Sequence, residues 1–152
     1  MLNKQKGNMY PWVTHTWNPI KGKCPHMCSY CYMRKYWDRL GNPYLDTKCF
    51  KDNLGEGNTI FVGSSIDMWA EEIPSEWITK VLDYIKKYPK NTYLFQSKNP
   101  DRFDYFTLPQ KVILGTTIES NRHYKISKAP HIVDRWYAMM YYKTKKMISI
   151  EP

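Results

Sequence analysis

Three cysteines fall within one short stretch, Cys24-Pro25-His26-Met27-Cys28-Ser29-Tyr30-Cys31. Three thiolates on one tight loop can each ligate one iron of a cubane [4Fe-4S] cluster, and the remaining iron is then left without a protein ligand. An open coordination position is what a catalytic metal requires, because substrate or cofactor must bind there. Structural zinc is the main rival. Zinc closes a tetrahedron of four protein ligands, usually as two paired units. Only one such group exists here, so Cys49 or His26 would have to supply the fourth ligand. A chance grouping of buried thiols is a third reading. Cys49 stands alone and reads by default as a buried small hydrophobe.

These cysteines need elements to hold them, and the pattern around them predicts alternating strands and helices. A strand is expected over 12–17 (WVTHTW), ended by Asn18-Pro19, and the cysteine loop follows it. A helix is expected over 31–40, with Met33, Tyr36, Trp37 and Leu40 on one face and Gly41 at its end. Further strands are expected at 59–64, 92–97, 112–117 and 147–151. Between them, Ser75 is expected to cap a helix carrying Ile78, Val81, Leu82 and Ile85. Phe103 and Phe106 mark a short helical stretch, and about 130–142 reads as a longer helix. This alternation argues for parallel βα units, with the helices on one side if the sheet curls into a partial barrel. In such folds the chemistry lies at the carboxyl ends of the strands. Polar residues collect there: Ser64, Ser65 and Asp67; Ser97 and Lys98; Thr117, Glu119 and Asn121; and Glu151.

Composition narrows the class. The chain has 152 residues, enough for one domain, and 42% of them are hydrophobic, which fits a packed core rather than disorder. Net charge is +9, which points to an anionic partner such as nucleic acid, although an ordinary basic surface would carry the same charge. The clustered cysteines do not resemble a secreted disulfide framework. No apolar run reaches the length of a membrane span, so a cytoplasmic setting with no membrane partner is expected.

The C-x3-C-x2-C spacing resembles the signature of the radical S-adenosylmethionine (SAM) superfamily, with aromatic Tyr30 before the last cysteine. The surrounding words are similar to the phage Gp37/Gp68-type (DUF5131-like) family, which itself resembles radical SAM enzymes. Those words are Thr16-Trp17-Asn18-Pro19, Gln96-Ser97-Lys98-Asn99-Pro100, Gly115-Thr116-Thr117-Ile118-Glu119 and Ser149-Ile150-Glu151-Pro152. Cys31-Tyr32 and Lys98 also resemble the DNA-repairing spore photoproduct lyases, on fewer residues.

The resemblance implies an α/β fold, a partial TIM-type barrel of parallel strands in a single domain (residues 1–152), with about five βα units where a complete radical SAM core has six. It implies a [4Fe-4S] cluster on Cys24, Cys28 and Cys31, and SAM as second cofactor. It places Tyr30 near the adenine and Gly63-Ser64-Ser65 at the methionine amino group, with serines where the superfamily has other residues. Lys98 would pair with the methionine carboxylate, Glu119 would accept from the ribose hydroxyls, and Thr117 would help orient it. An external electron donor is implied. A partner chain, or a second copy, is expected to complete the sheet. Trp12, Trp17, Tyr30, Tyr32 and Trp69 are candidates for dry walls, or for ordinary core. His15 and His26 would tune the cluster through a hydrogen bond to sulfur, with a solvent-exposed His26 as the alternative. Asp67 and Glu71-Glu72 would act on substrate or form a solvated helix start. Arg122-His123-Tyr124 would contact an anionic substrate or lie exposed. Two other readings stay open: a zinc-stabilised nucleic-acid-binding module and a non-catalytic, cluster-binding partner subunit.

Overall fold

The structure, a computed structural model, describes residues 1–5, 9–122 and 124–151. Its strands are β1 (Leu2–Lys4), β2 (His15–Trp17), β3 (Ile20–Lys21), β4 (Tyr44–Leu45), β5 (Thr59–Val62), β6 (Thr92–Ser97), β7 (Val112–Ile118) and β8 (Lys145–Ile150). The α-helices are α1 (Ser75–Ile85) and α2 (Ile132–Tyr141). The main sheet runs β1-β2-β5-β6-β7-β8, and every pair is parallel except β1 with β2. This is the expected α/β fold with a mostly parallel sheet.

Strand alternation decides which face meets the helices. Ile60, Val62, Tyr93, Phe95, Val112 and Leu114 share one core cluster with Ile78, Val81, Leu82 and Ile85 of α1 and Met139 of α2. Their neighbours Phe61 and Leu94 join Val13 on the opposite face, with Tyr10, Ile113 and Met147 packed against them. Both helices therefore lie on one side of the sheet, as right-handed crossovers between parallel strands require.

Several boundaries differ from expectation for physical reasons. β2 starts only at His15, because the Val13 N–H turns back to the Tyr10 carbonyl. Residues Tyr32–Arg39 form a 3-10 helix rather than an α-helix. None of them is buried, so no packed face rewards regular α-turns. The residue preceding α1 is Pro74, which makes no side-chain cap; Ser75 is the first helical residue, and its Oγ instead accepts from Arg102. The last strand begins two residues early, at Lys145, in parallel register with Ile113 of β7. β1 was not expected in the polar opening residues. It is bound through its backbone, and it covers the β2 edge of the sheet.

Candidate functional site

The cysteine loop leaves β3 and crosses the carboxyl ends of β5, β6 and β7, and three links fasten it there. First, His26 Nε2 donates to Asp67 Oδ2 at 2.8 Å. The same oxygen accepts from Ser97 Oγ at 3.0 Å and from the Lys98 amide at 2.7 Å, while Asp67 Oδ1 accepts from the Trp69 amide at 3.0 Å. Burial opposes ionisation of Asp67, but the charge and hydrogen bond of His26 and these amides outweigh it, and the carboxyl lies below its ordinary value. His26 is therefore buried, not solvent-exposed, with Nε2 committed to Asp67. The Asp67 side chain is largely covered, whereas Glu71 and Glu72 are exposed.

Second, the Tyr30 hydroxyl donates to Glu119 Oε1 at 2.5 Å. Glu119 also takes Arg135 Nη1 at 2.9 Å on Oε2 and at 3.1 Å on Oε1. Arg135 reaches in from α2, and its other contacts are the Thr117 and Pro130 carbonyls. Burial works against the Glu119 anion, yet the Tyr30 hydroxyl and the Arg135 charge hold its carboxyl below the usual carboxylate range. Burial and the adjoining Glu119 carboxylate push the Tyr30 phenol well up. Thr117 steadies this corner through its carbonyl, while its Oγ1 accepts from Gln96 Nε2 at 3.0 Å.

Third, Tyr32, next to the last cysteine, donates its hydroxyl to the Ser64 carbonyl at 2.7 Å. Asn18 pairs with the Ser64 hydroxyl and accepts from the Ser65 amide, each at 3.2 Å. Gly63 starts this turn at φ +79°, where a Cβ would meet the Ile66 carbonyl oxygen at 3.2 Å. Lys98 Nζ lies 5.3 Å from the Tyr30 ring centroid and 3.7 Å from Glu151 Oε2. Tyr30, Gly63, Ser64, Ser65, Lys98, Thr117 and Glu119 thus all lie along the carboxyl rim beside the cysteine loop.

The thiols differ in setting. Cys28 is buried, Cys24 and Cys31 are partly exposed, and none of the three is in a disulfide. Burial pushes the Cys24 thiol up to about 12, with the Asp67 charge adding to it. Burial also raises Cys28, against the opposing charge of Lys98. Three soft donors on one loop beside a cation suit an iron–sulfur cluster in kind. As placed, however, the described residues include no three His, Cys, Asp or Glu side chains converging on one metal ion. Loading would rotate thiols and release their protons. Cys49 lies apart, in the core, where its sulfur meets the Met1 ammonium and the Asn18 carbonyl.

Other expected residues fall elsewhere. Trp17 and Trp69 are core: Trp17 stacks on Tyr84, and Trp69 meets Phe95 and Phe103 edge-on. Trp12 is half-exposed against Tyr10, and Tyr32 is exposed. His15 opens β2 at the opposite end, with Nδ1 beside Thr14 Oγ1 at 2.9 Å. Arg122 and Tyr124 are exposed, and His123 lies outside the described residues. Sequence reading missed Arg135, because an arginine in an amphipathic helix ordinarily faces water. No helix among the described residues is long and apolar enough to cross a membrane.

Solved structures of spore photoproduct lyase, a radical SAM enzyme, share this fold. A cysteine-to-serine variant of that lyase matches with a TM-score of 0.73 at 14% identity, over 100% of this chain and 48% of the other. The lyase complexed with dinucleoside spore photoproduct matches with a TM-score of 0.67 at 13% identity, over 91% of this chain and 43% of the other. A variant with bound AdoMet and dinucleoside spore photoproduct matches with a TM-score of 0.63 at 14% identity, over 86% and 42%. The chain thus spans about half the length of those it resembles, and at such identity the likeness is one of fold. No curated protein shows significant sequence similarity to the chain. The family model described as "Protein of unknown function (DUF5131)" matches residues 8–152, and the chain belongs to the DUF5131 family.

Proposed function

We propose that this chain is the cluster- and SAM-binding core of a radical SAM enzyme whose substrate is a nucleic acid. The observation that carries the reading is the docking of one three-cysteine loop onto the carboxyl ends of successive parallel strands, through His26–Asp67, Tyr30–Glu119 and Tyr32–Ser64. The fold shared with spore photoproduct lyase supports it. The net charge of +9 supports a polyanionic substrate.

In this reading Cys24, Cys28 and Cys31 hold a [4Fe-4S] cluster, and SAM binds beside it. When bound and reduced by an external donor, the cluster supplies the electron that breaks the sulfonium carbon–sulfur bond of SAM. The protein's own groups bind and orient. Lys98 presents a compact charge to the methionine carboxylate. The Gly63-Ser64-Ser65 turn faces the amino group. Tyr30 borders the adenine, and Thr117 and Glu119 serve the ribose, which requires the Tyr30 hydroxyl to share or vacate Glu119.

Anaerobic reconstitution with iron and sulfide tests this. A brown protein absorbing at roughly 400 nm, the region of iron–thiolate charge transfer, and cleaving SAM on reduction is expected. One zinc per chain with no acid-labile sulfide would sink the reading in favour of the zinc-stabilised module. The β8 edge, with Ile148 and Ile150 exposed, favours a partner chain or second copy that completes the sheet. Activity recovered only after a second protein is added would mark this chain as its cluster-binding subunit.

A further inference from the structure

Asp67 is given no contact with cluster or SAM in the reading above, yet its side chain accepts four hydrogen bonds at the site. Its four hydrogen bonds come from His26, Ser97, Lys98 and Trp69. These donors belong to three segments: the middle of C-x3-C, the carboxyl end of β6, and Asp67's own loop after β5. His26 is buried and Asp67 is nearly so, with side chains 5% and 10% exposed.

The loop's other ties lead elsewhere: the Ser29 N–H donates to the Ile126 carbonyl at 2.8 Å, the Lys128 N–H to the His26 carbonyl at 2.7 Å, Tyr30 to Glu119 and Tyr32 to Ser64, and none of them reaches β6. The loop's internal backbone bonds are short-range turns, Met27 N–H to the Cys24 carbonyl and Cys31 N–H to the Cys28 carbonyl, at 3.2 and 3.3 Å. Met27 sits at φ +52°, a left-handed conformation that is unfavourable for its side chain and persists only where surroundings enforce it. Surface loops with few buried contacts open locally at low cost. A buried carboxylate is the reverse. Withdrawing a donor from a carboxylate so little exposed leaves part of its charge uncompensated, which opposes opening of the segments that donate.

We propose that Asp67 is the positioning residue of the cysteine loop. Through His26 it fixes the arm between Cys24 and Cys28. With the same oxygen it fixes the Lys98 amide, so thiols and cation are set relative to each other before any metal arrives. The importance of that placement rests on the radical SAM reading; the positioning itself is a property of the metal-free protein.

The test is native-state alkylation of the reduced, metal-free full chain with iodoacetamide, followed by peptide mass spectrometry of each cysteine. D67A and H26A are compared with wild type, and Cys49, buried in the core away from the loop, is the internal reference. Expected is a rise of about tenfold in the Cys24 and Cys28 rates in both variants with Cys49 unchanged, because only the loop opens. D67N keeps an acceptor for the amides but loses the charge facing His26, and should fall between. Unchanged Cys24 and Cys28 rates would overturn the proposal. So would a parallel rise of Cys49, since the residue would then be a general support. If D67A does not fold, H26A, which deletes one side-chain bond, decides by the same criterion. Wild-type protein that takes up no iron would sink the radical SAM reading, while the alkylation ratios would still decide the positioning.

Discussion

Arg135 Nη1 lies 2.9 Å from Glu119 Oε2 and 2.9 Å from the Thr117 carbonyl, so one buried guanidinium binds both the end of β7 and the residue that follows it. Both side chains are nearly inaccessible, at 2% and 5%. Replacing Arg135 by Ala strands a buried carboxylate. The expected loss is about 3–5 kcal/mol, the usual result of breaking a buried pair from one side. Urea unfolding measures it. The R135M/E119L double variant should recover most of that loss, and a double variant as unstable as R135A would show that packing, not the unpaired charge, was responsible.

The same pair makes stability fall in acid. Burial alone would raise the Glu119 carboxyl, but Tyr30 and Arg135 place it below its reference value of 4.5. A folded value depressed below the unfolded one stabilises the protein above the unfolded pKa, and that contribution disappears as pH falls through the folded pKa. The urea midpoint should therefore drop below about pH 4.5, and E119Q should lack this component of the drop. Parallel pH profiles for E119Q and wild type would contradict the assignment.

Tyr30→Phe removes one hydroxyl and leaves the ring in place beneath Lys98. A hydrogen bond to a charged acceptor contributes about 1.5–3 kcal/mol, and partial exposure of Tyr30 puts the expected loss at the lower end. Thermal and urea unfolding should agree. No loss at all would mean that water replaces the hydroxyl at Glu119 without penalty.

The cysteine spacing, the strand–helix alternation and the polar strand ends were all legible, because each is a local pattern. Ile78, Val81, Leu82 and Ile85 announced α1 by their period, and the strand expected over 59–64 holds β5, whose burial on both faces the clusters around Ile60 and Phe61 then revealed. What sequence could not give were pairings set by tertiary contact. Asp67 is 41 residues from His26, and nothing local separates it from a solvated carboxylate. Arg135 reads as a surface residue until Glu119 is placed beneath it. Arg102, buried with its guanidinium on the Ala70 and Ile73 carbonyls, escapes notice for the same reason. Trp17 and Trp69 look alike to a reader seeking aromatic walls, and only the side of the sheet they occupy assigns them to the core.

The metal assignment divides the cysteines by role. C24A, C28A and C31A should each reduce iron and acid-labile sulfide to background after anaerobic reconstitution, because a cubane cluster lacking one of three protein ligands is poorly held. Cys49→Ala should retain both, since that thiol lies in the core against Asn18 and Met1, and should show only the modest destabilisation of a shortened core side chain, about 1 kcal/mol. Zinc reverses the expectation for Cys49. A closed tetrahedron drawing its fourth ligand from that thiol would lose its metal in C49A as in the other three, with no sulfide recovered from any of them. Iron and sulfide per chain across the four variants therefore separate an open cluster from a closed ion without recourse to catalytic activity.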